Sequence, residues 1–229
     1  MVNEKYKKTR FNFREIILGG QDGIVNVLGV ILAVAFATQN TRTVLIAGLA
    51  AAFAESISMA AVAYTSTKAA IDYYESEVEE EKKEIKNIPE EEKQEIYEIY
   101  YNKGFRGDLL NRIVRKITSD KKLWIKTMIT EELHLSKSQF GSPLKSSLIV
   151  GSSAIVGSLF PLLPFLFLGV KTAIMVSFFM SIVVLFITGV LKAKLTIGKW
   201  LRSGIEMAAI GIGAAITGFL IGWLFNLFY

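Results

Sequence analysis

The sequence predicts an all-α membrane protein with five transmembrane helices and a cytoplasmic helical insert between helices 2 and 3. Of its 229 residues, 52% are hydrophobic and only 21% are charged, which is more apolar than a soluble domain of this length normally accommodates. The charges are also unevenly placed, because 31 of them lie within residues 68–145. Apolar segments therefore flank one charged segment.

Five apolar runs are each long enough to cross a bilayer, which takes roughly 20 residues as a helix. The predicted spans are residues 16–39, 44–67, 146–170, 172–191 and 203–229. This gives residues 1–67 as a leader with spans 1 and 2, residues 68–143 as the insert, and residues 144–229 as spans 3 to 5.

The distribution of Lys and Arg predicts the orientation of these spans. Five basic residues precede the first span, and the successive connections hold one, fifteen, one and four, with none after the last span. Connections rich in basic residues stay in the cytoplasm. We therefore expect the N-terminus and the insert inside and the C-terminus outside, with the leader not acting as a signal peptide.

Several classes of function are disfavoured by composition. The chain has no Cys and one His, so disulfides, thiolate metal sites, Cys nucleophiles and His-rich zinc sites are excluded. No GxxxxGK[ST] motif occurs, so ATP hydrolysis and an organic cofactor are not expected. The basic excess flanks the spans, where it sets orientation, and a nucleic-acid partner is therefore not expected.

The insert contains two oppositely charged stretches. Residues 72–98 have a net charge of −8 and residues 103–126 a net charge of +6, so we expect them to pack together as helices. Pro89 suits the first position of a new helix, and Gly104 with Gly107 suits its end.

Potential metal ligands recur at helical spacing in the insert, three or four residues apart on one helix face. The pairs are Glu81 with Glu84, Glu92 with Glu95, and Met128 with Glu132. Clustered carboxylates bind divalent cations, and a thioether favours softer transition metals. We expect a metal-binding insert, with a solvated acidic helix as the alternative. Glu131 and His134 form an ExxH, but a di-iron bundle needs a second His, so His134 is interpreted as structural.

Acidic residues inside a span are costly and are functional candidates by default. Asp22 and Glu55 occupy the first and second spans at similar predicted depths, and Met59 follows Glu55 by one turn. Two carboxylates with one thioether suit Fe²⁺ better than Mg²⁺. Such a site can exchange a metal ion for a proton, which is the chemistry of a proton-coupled antiporter.

The chain resembles the vacuolar iron transporter family over nearly its whole length. The stretches that carry the resemblance are QDGIVNVLGV (residues 21–30), ESISMAAVAY (55–64), the Glu-rich insert, WIKTMITEELHL (124–135) and SPLKSSLIVGSSAIVGSLFPLLP (142–164). The resemblance implies a homodimer with five spans per subunit that moves Fe²⁺ and related divalent metals out of the cytosol in exchange for protons.

The resemblance also assigns residues. Asp22 and Met59 match the family's translocation-site Asp and Met, and the six insert residues named above match its insert ligands. The chain departs from the family at Ala51, where a carboxylate is usual, and Glu55 is interpreted as its substitute. Glu15 matches an acid at the cytoplasmic entrance, although an ordinary surface charge explains it as well.

The leading hypothesis is therefore a transporter, not an enzyme, with Fe²⁺ as the expected substrate and Mn²⁺, Zn²⁺ or Co²⁺ as alternatives. A membrane-anchored metal sensor or buffer is the second hypothesis, and a membrane carboxylate enzyme with a di-metal centre is the third. The expected location is a prokaryotic cell membrane, or a vacuole-like membrane in a eukaryote.

Overall fold

The computed structural model describes residues 2–136, 140–195 and 198–228, and these residues form eight α-helices and no strand. The helices are α1 (Val2–Thr38), α2 (Thr41–Asn87), α3 (Pro89–Asn102), α4 (Gly107–Thr118), α5 (Lys121–Glu131), α6 (Pro143–Phe167), α7 (Val170–Leu195) and α8 (Trp200–Phe228). The chain divides into two compact units, Met1–Thr65 with Ser142–Tyr229, and Ser66–Gly141. We call the first the membrane unit and the second the insert.

Five of the described helices are long and apolar enough to cross a membrane, namely α1 from Asn12 onward, α2, α6, α7 and α8. The predicted number and order of the candidate spans are confirmed. The predicted end of the third span at Val170 is wrong, because α6 ends at Phe167 and Val170 begins α7. Leu168 is extended (φ −120°, ψ 153°), so the helix breaks three residues before Lys171, where the connection was predicted. Tyr229, the predicted last residue of the fifth span, lies outside the described residues.

The second span continues without a break into the charged part of the chain. Helix α2 is 47 residues long, because residues 68–87 include neither Gly nor Pro and are rich in good helix formers. It ends before Pro89, which begins α3 as predicted. Gly104 (φ +99°) and Gly107 (φ +61°) then supply the left-handed conformations that turn the chain between α3 and α4.

Helix α1 packs along α6 and α8 in the membrane unit. An apolar cluster joins Val27 and Ile31 of α1 to Leu162 and Phe165 of α6. Close backbone approach is a second source of contact, since a Cβ added to Gly157 would collide with the carbonyl oxygen of Gly20. Small residues at such positions let membrane helices approach closely.

We expect Gly157→Ala to destabilise the membrane unit by about 1–3 kcal/mol, the usual cost of overpacking, because the obstructing atom belongs to the α1 backbone. The control is Gly213→Ala in α8, where an added Cβ meets nothing within 4 Å. Thermal unfolding in detergent, followed by circular dichroism, measures both variants. Equal midpoints for the two variants would contradict the packing described here.

The insert is built around a single apolar cluster. Ile85 of α2, Ile96 of α3, Ile117 of α4, and Trp124 and Met128 of α5 form it. The two oppositely charged stretches therefore do pack together. The predicted reason is wrong, however, because no ion pair in the described chain joins an acid of residues 72–98 to a base of residues 103–126. Apolar burial holds the helices together.

Candidate functional site

Three glutamates converge in the insert. One carboxylate oxygen each from Glu81, Glu84 and Glu92 lies within 4.8 Å of the other two. The break before Pro89 brings Glu92 of α3 back against α2. Glu81 and Glu92 are only 4% and 3% exposed, and the Oε2 atom of each is buried with no hydrogen-bond partner among the described residues. Buried carboxylates without partners are costly, and a bound cation would satisfy them.

The electrostatics of the cluster favour the same interpretation. Burial, followed by repulsion from Glu132, Glu92, Glu84 and Glu95, raises the pKa of Glu81 from 4.5 to about 8. Burial and the neighbouring carboxylates, Glu95 first, likewise raise the pKa of Glu92 to about 7. A divalent cation that takes the place of the protons offsets the repulsion among these carboxylates, because it attracts each of them.

The remaining predicted insert ligands lie beside these three. Glu132 follows α5 and its side chain lies beside that of Glu95; burial, followed by repulsion from Glu95 and Glu84, raises the pKa of Glu132 above its ordinary value. Met128 is completely buried and belongs to the apolar cluster of the insert. The structure thus brings the five glutamates into one neighbourhood and places Met128 in the adjoining core.

The ExxH residues have other contacts. Glu131 forms an ion pair with Lys103. The Nδ1 atom of His134 donates to the carbonyl oxygen of Glu132 over 2.8 Å, and His134 adopts a left-handed backbone conformation (φ 57°). His134 thus contacts the backbone of the residue that carries a candidate ligand.

A second carboxylate pair lies in the membrane unit. The side chains of Asp22 in α1 and Glu55 in α2 lie close enough to interact, and Asn26 Nδ2 donates to Glu55 Oε2. Asp22, Glu55 and Met59 are all half-buried. The sequence reasoning missed Asn26, although a polar residue one turn after Asp22 in an apolar span was a usable signal.

The position of Ala51 is apolar. Ala51 packs against the apolar cluster that contains Val27 and Ile31, so no polar group is supplied there. Asp22 and Asn26 instead line a groove of about 550 Å³ between α1 and α8, together with Thr217. Three polar side chains, Asp22, Asn26 and Thr217, thus face one groove of the membrane unit.

Two other acids of the membrane unit, Glu15 and Glu206, differ in burial. Glu15 is only 7% exposed, and its Oε2 atom is buried without a partner among the described residues. Its interpretation as an ordinary surface charge is therefore wrong. Glu206, at the start of α8, is exposed and pairs with Arg202 over 3.0 Å.

Comparison with known proteins gives one consistent answer. The model of the VIT family matches residues 13–223. The chain is 30% identical to vacuolar iron transporter 1 of Arabidopsis thaliana over 209 residues, covering 91% of this chain and 84% of that protein. It is 31% identical to the vacuolar iron transporter of Plasmodium falciparum (isolate 3D7) over 229 residues, covering 96% and 84%. Both relatives are named as transporters, which agrees with the expectation of a non-enzymatic function.

Proposed function

This chain belongs to the VIT family, and from that premise we propose that it is a membrane transporter that moves Fe²⁺ out of the cytosol in exchange for protons. The observation that supports this most directly is the contact between Asp22 and Glu55 inside the membrane unit. Mn²⁺, Co²⁺ and Zn²⁺ are proposed as further substrates, since carboxylate and thioether ligands do not distinguish sharply among them.

The Asp22–Glu55 pair supplies the proposed exchange. Two carboxyl groups this close repel each other unless a proton or a cation lies between them. When that proton leaves, the pair presents two negative charges that match a divalent cation. Met59, one turn beyond Glu55, would add a thioether ligand that favours Fe²⁺ over Mg²⁺. Metal and proton therefore compete for one pair of groups.

The carboxylate cluster of the insert is proposed to bind the same metal on the cytosolic side. Its proposed ligands are Glu81, Glu84, Glu92, Glu95, Met128 and Glu132. We also propose the organisation of the chain into a leader with spans 1 and 2 (residues 1–67), the insert (68–143) and spans 3 to 5 (144–229). We further propose that the N-terminus and insert lie in the cytoplasm and the C-terminus outside, that the protein is a homodimer, and that it resides in a prokaryotic cell membrane.

Flux through reconstituted protein tests the transport proposal. Proteoliposomes with a metal-sensitive and a pH-sensitive dye inside are given Fe²⁺ outside, with the lumen more acidic than the bath. We expect Fe²⁺ entry with proton exit, slowed by a protonophore that dissipates the gradient. Met59→Leu, which keeps the volume but removes the sulfur, is expected to slow Fe²⁺ entry more than Mn²⁺ entry.

Three outcomes would count against parts of the proposal. If the rate of Fe²⁺ entry does not depend on the pH gradient, the proposal of proton exchange is wrong. Metal binding without any flux, in protein shown to be folded, would favour the sensor or buffer hypothesis. If Met59→Leu transports Fe²⁺ and Mn²⁺ in the same ratio as the wild type does, Met59 is not part of the proposed site.

A further inference from the structure

Six of the eight basic side chains in residues 103–126 form neither an ion pair nor a cation–π contact with another described residue. They are Arg112, Arg115, Lys116, Lys121, Lys122 and Lys126, and we call them the basic face. All six are exposed, and none forms an ion pair with any other described residue. The two other bases of the stretch are engaged, since Lys103 pairs with Glu131 and Arg106 stacks on Tyr101 with 3.5 Å to the ring centroid.

The packing of the insert produces this segregation of charge. Helix α4 buries Leu110 and Ile117 on one side, which leaves Arg112, Arg115 and Lys116 on the other. Three glutamates of α2 and α3, Glu81, Glu84 and Glu92, instead converge on one another. Of the two acids within the basic stretch, Asp120 accepts hydrogen bonds from the backbone N–H groups of Lys122 and Leu123 at the start of α5, and Asp108 lies in the first turn of α4.

The basic face adjoins exposed apolar surface. Leu109 is 55% exposed one turn before Arg112. A groove of about 750 Å³ is lined by Leu109, Tyr100 and Ile113 together with Arg112, Arg115 and Lys116. Basic side chains around an apolar residue on a strongly amphipathic helix are typical of helices that lie on membrane surfaces.

We propose that the basic face binds anionic phospholipid headgroups, with α4 lying on the bilayer surface and Leu109 entering its interfacial layer. Lipid phosphates supply the negative charge that the acids of the insert do not. The insert is joined to a candidate span at each end, so a bilayer surface is permanently available to it, which raises the effective concentration of lipid. This inference concerns lipid recognition and does not depend on which ion is transported or whether protons are exchanged.

The absence of Cys from the chain permits a site-specific test in the full-length protein. Leu109→Cys is labelled with an environment-sensitive fluorophore and placed in nanodiscs of phosphatidylcholine alone or with phosphatidylglycerol. We expect a blue-shifted emission, and quenching by spin-labelled lipid, only in the discs that contain phosphatidylglycerol. The same label on Glu91→Cys, at an exposed position of α3, is expected to show neither the blue shift nor the quenching.

Charge variants provide the matched comparison. The triple variant R112Q/R115Q/K116Q is expected to lose the phosphatidylglycerol-dependent shift. The control K83Q/K86Q/K93Q removes the same three charges from α2 and α3 and is expected to keep it. Added salt is expected to weaken the shift, because surface electrostatics are screened over about 10 Å at 0.1 M ionic strength.

Four outcomes would overturn the proposal. The first is the same emission in both kinds of nanodisc, and the second is loss of the shift in both triple variants alike. The third is a blue-shifted emission that does not depend on lipid charge or on salt, which would indicate that the fluorophore contacts protein. The fourth is reversal by inorganic phosphate beyond that caused by NaCl at equal ionic strength, which would indicate a site for a soluble anion.

Discussion

Replacing Glu81 by glutamine is expected to abolish tight divalent-metal binding by the insert while making the metal-free protein more stable. The variant keeps the volume of the side chain but removes a buried charge whose Oε2 atom has no hydrogen-bond partner. Loss of a supporting residue near a metal typically costs 10–100-fold in affinity, so loss of a ligand is expected to cost at least about 100-fold. Calorimetric titration of the full-length protein in detergent with Mn²⁺ measures the affinity.

The effect on stability has a definite pH dependence. The pKa of Glu81 is about 8 in the folded protein and near 4.5 for an unperturbed carboxyl group, so between these values the folded state binds more protons than the unfolded state. The free energy of unfolding of metal-free protein therefore falls as pH rises through this window. In Glu81→Gln this fall is expected to be smaller, because Glu92 and Glu132 still titrate. Thermal unfolding with a chelator, at pH values near both ends of the window, measures the difference.

Glu98→Gln is the matched control for both measurements. Glu98 lies on α3 and accepts a hydrogen bond from Gln94 at the surface, so its replacement removes the same charge away from the cluster. It is expected to leave the metal affinity within about threefold of wild type, since an exposed charge interacts weakly with the site. An equal loss of affinity in the two variants would mean that general acidity, and not the cluster, binds the metal.

The predictable parts of this molecule are those controlled by local sequence. Hydropathy identifies five candidate spans, and Pro89 with Gly104 and Gly107 identifies the breaks around α3, because these residues act on their own backbone. The pairing of Glu81 with Glu84 and of Glu92 with Glu95 follows from helical spacing. The break between the third and fourth spans was predicted at Lys171 and lies at Leu168, because the boundary was placed at the charged residue and not at the change of backbone conformation.

The remaining features depend on contacts between distant segments. Glu15 is buried because of the packing of α1 in the membrane unit. Its neighbour Arg14 is exposed, so the local sequence does not predict this burial. Apolar side chains such as Ile96 and Ile117 hold the insert together, whereas net charge suggested ion pairs. The hydrogen bond from Asn26 to Glu55 joins residues 29 positions apart, and one sequence does not specify such a pairing.

Neutralising the membrane pair is expected to slow metal flux strongly without abolishing metal binding by the insert. Asp22→Asn or Glu55→Gln removes one of the two charges that would balance a divalent cation, and an unbalanced charge inside a bilayer costs about 2.5–3.5 kcal/mol. At about 1.4 kcal/mol per tenfold, each variant is expected to transport Fe²⁺ about 100-fold more slowly. Flux into proteoliposomes gives the rate, and calorimetry gives the binding that remains.

The double variant distinguishes a pair from two separate sites. Side chains that act as one unit show strongly non-additive effects, so Asp22→Asn with Glu55→Gln is expected to be no slower than the worse single variant, within about threefold. Multiplication of the two single effects would show that the carboxylates act separately. Glu206→Gln removes an acid at the start of α8, an exposed partner of Arg202, and is expected to transport at the wild-type rate. A loss at Glu206 as large as at Asp22 would mean that the rate depends on acidity anywhere in the spans, and the contact between Asp22 and Glu55 would then have no special role.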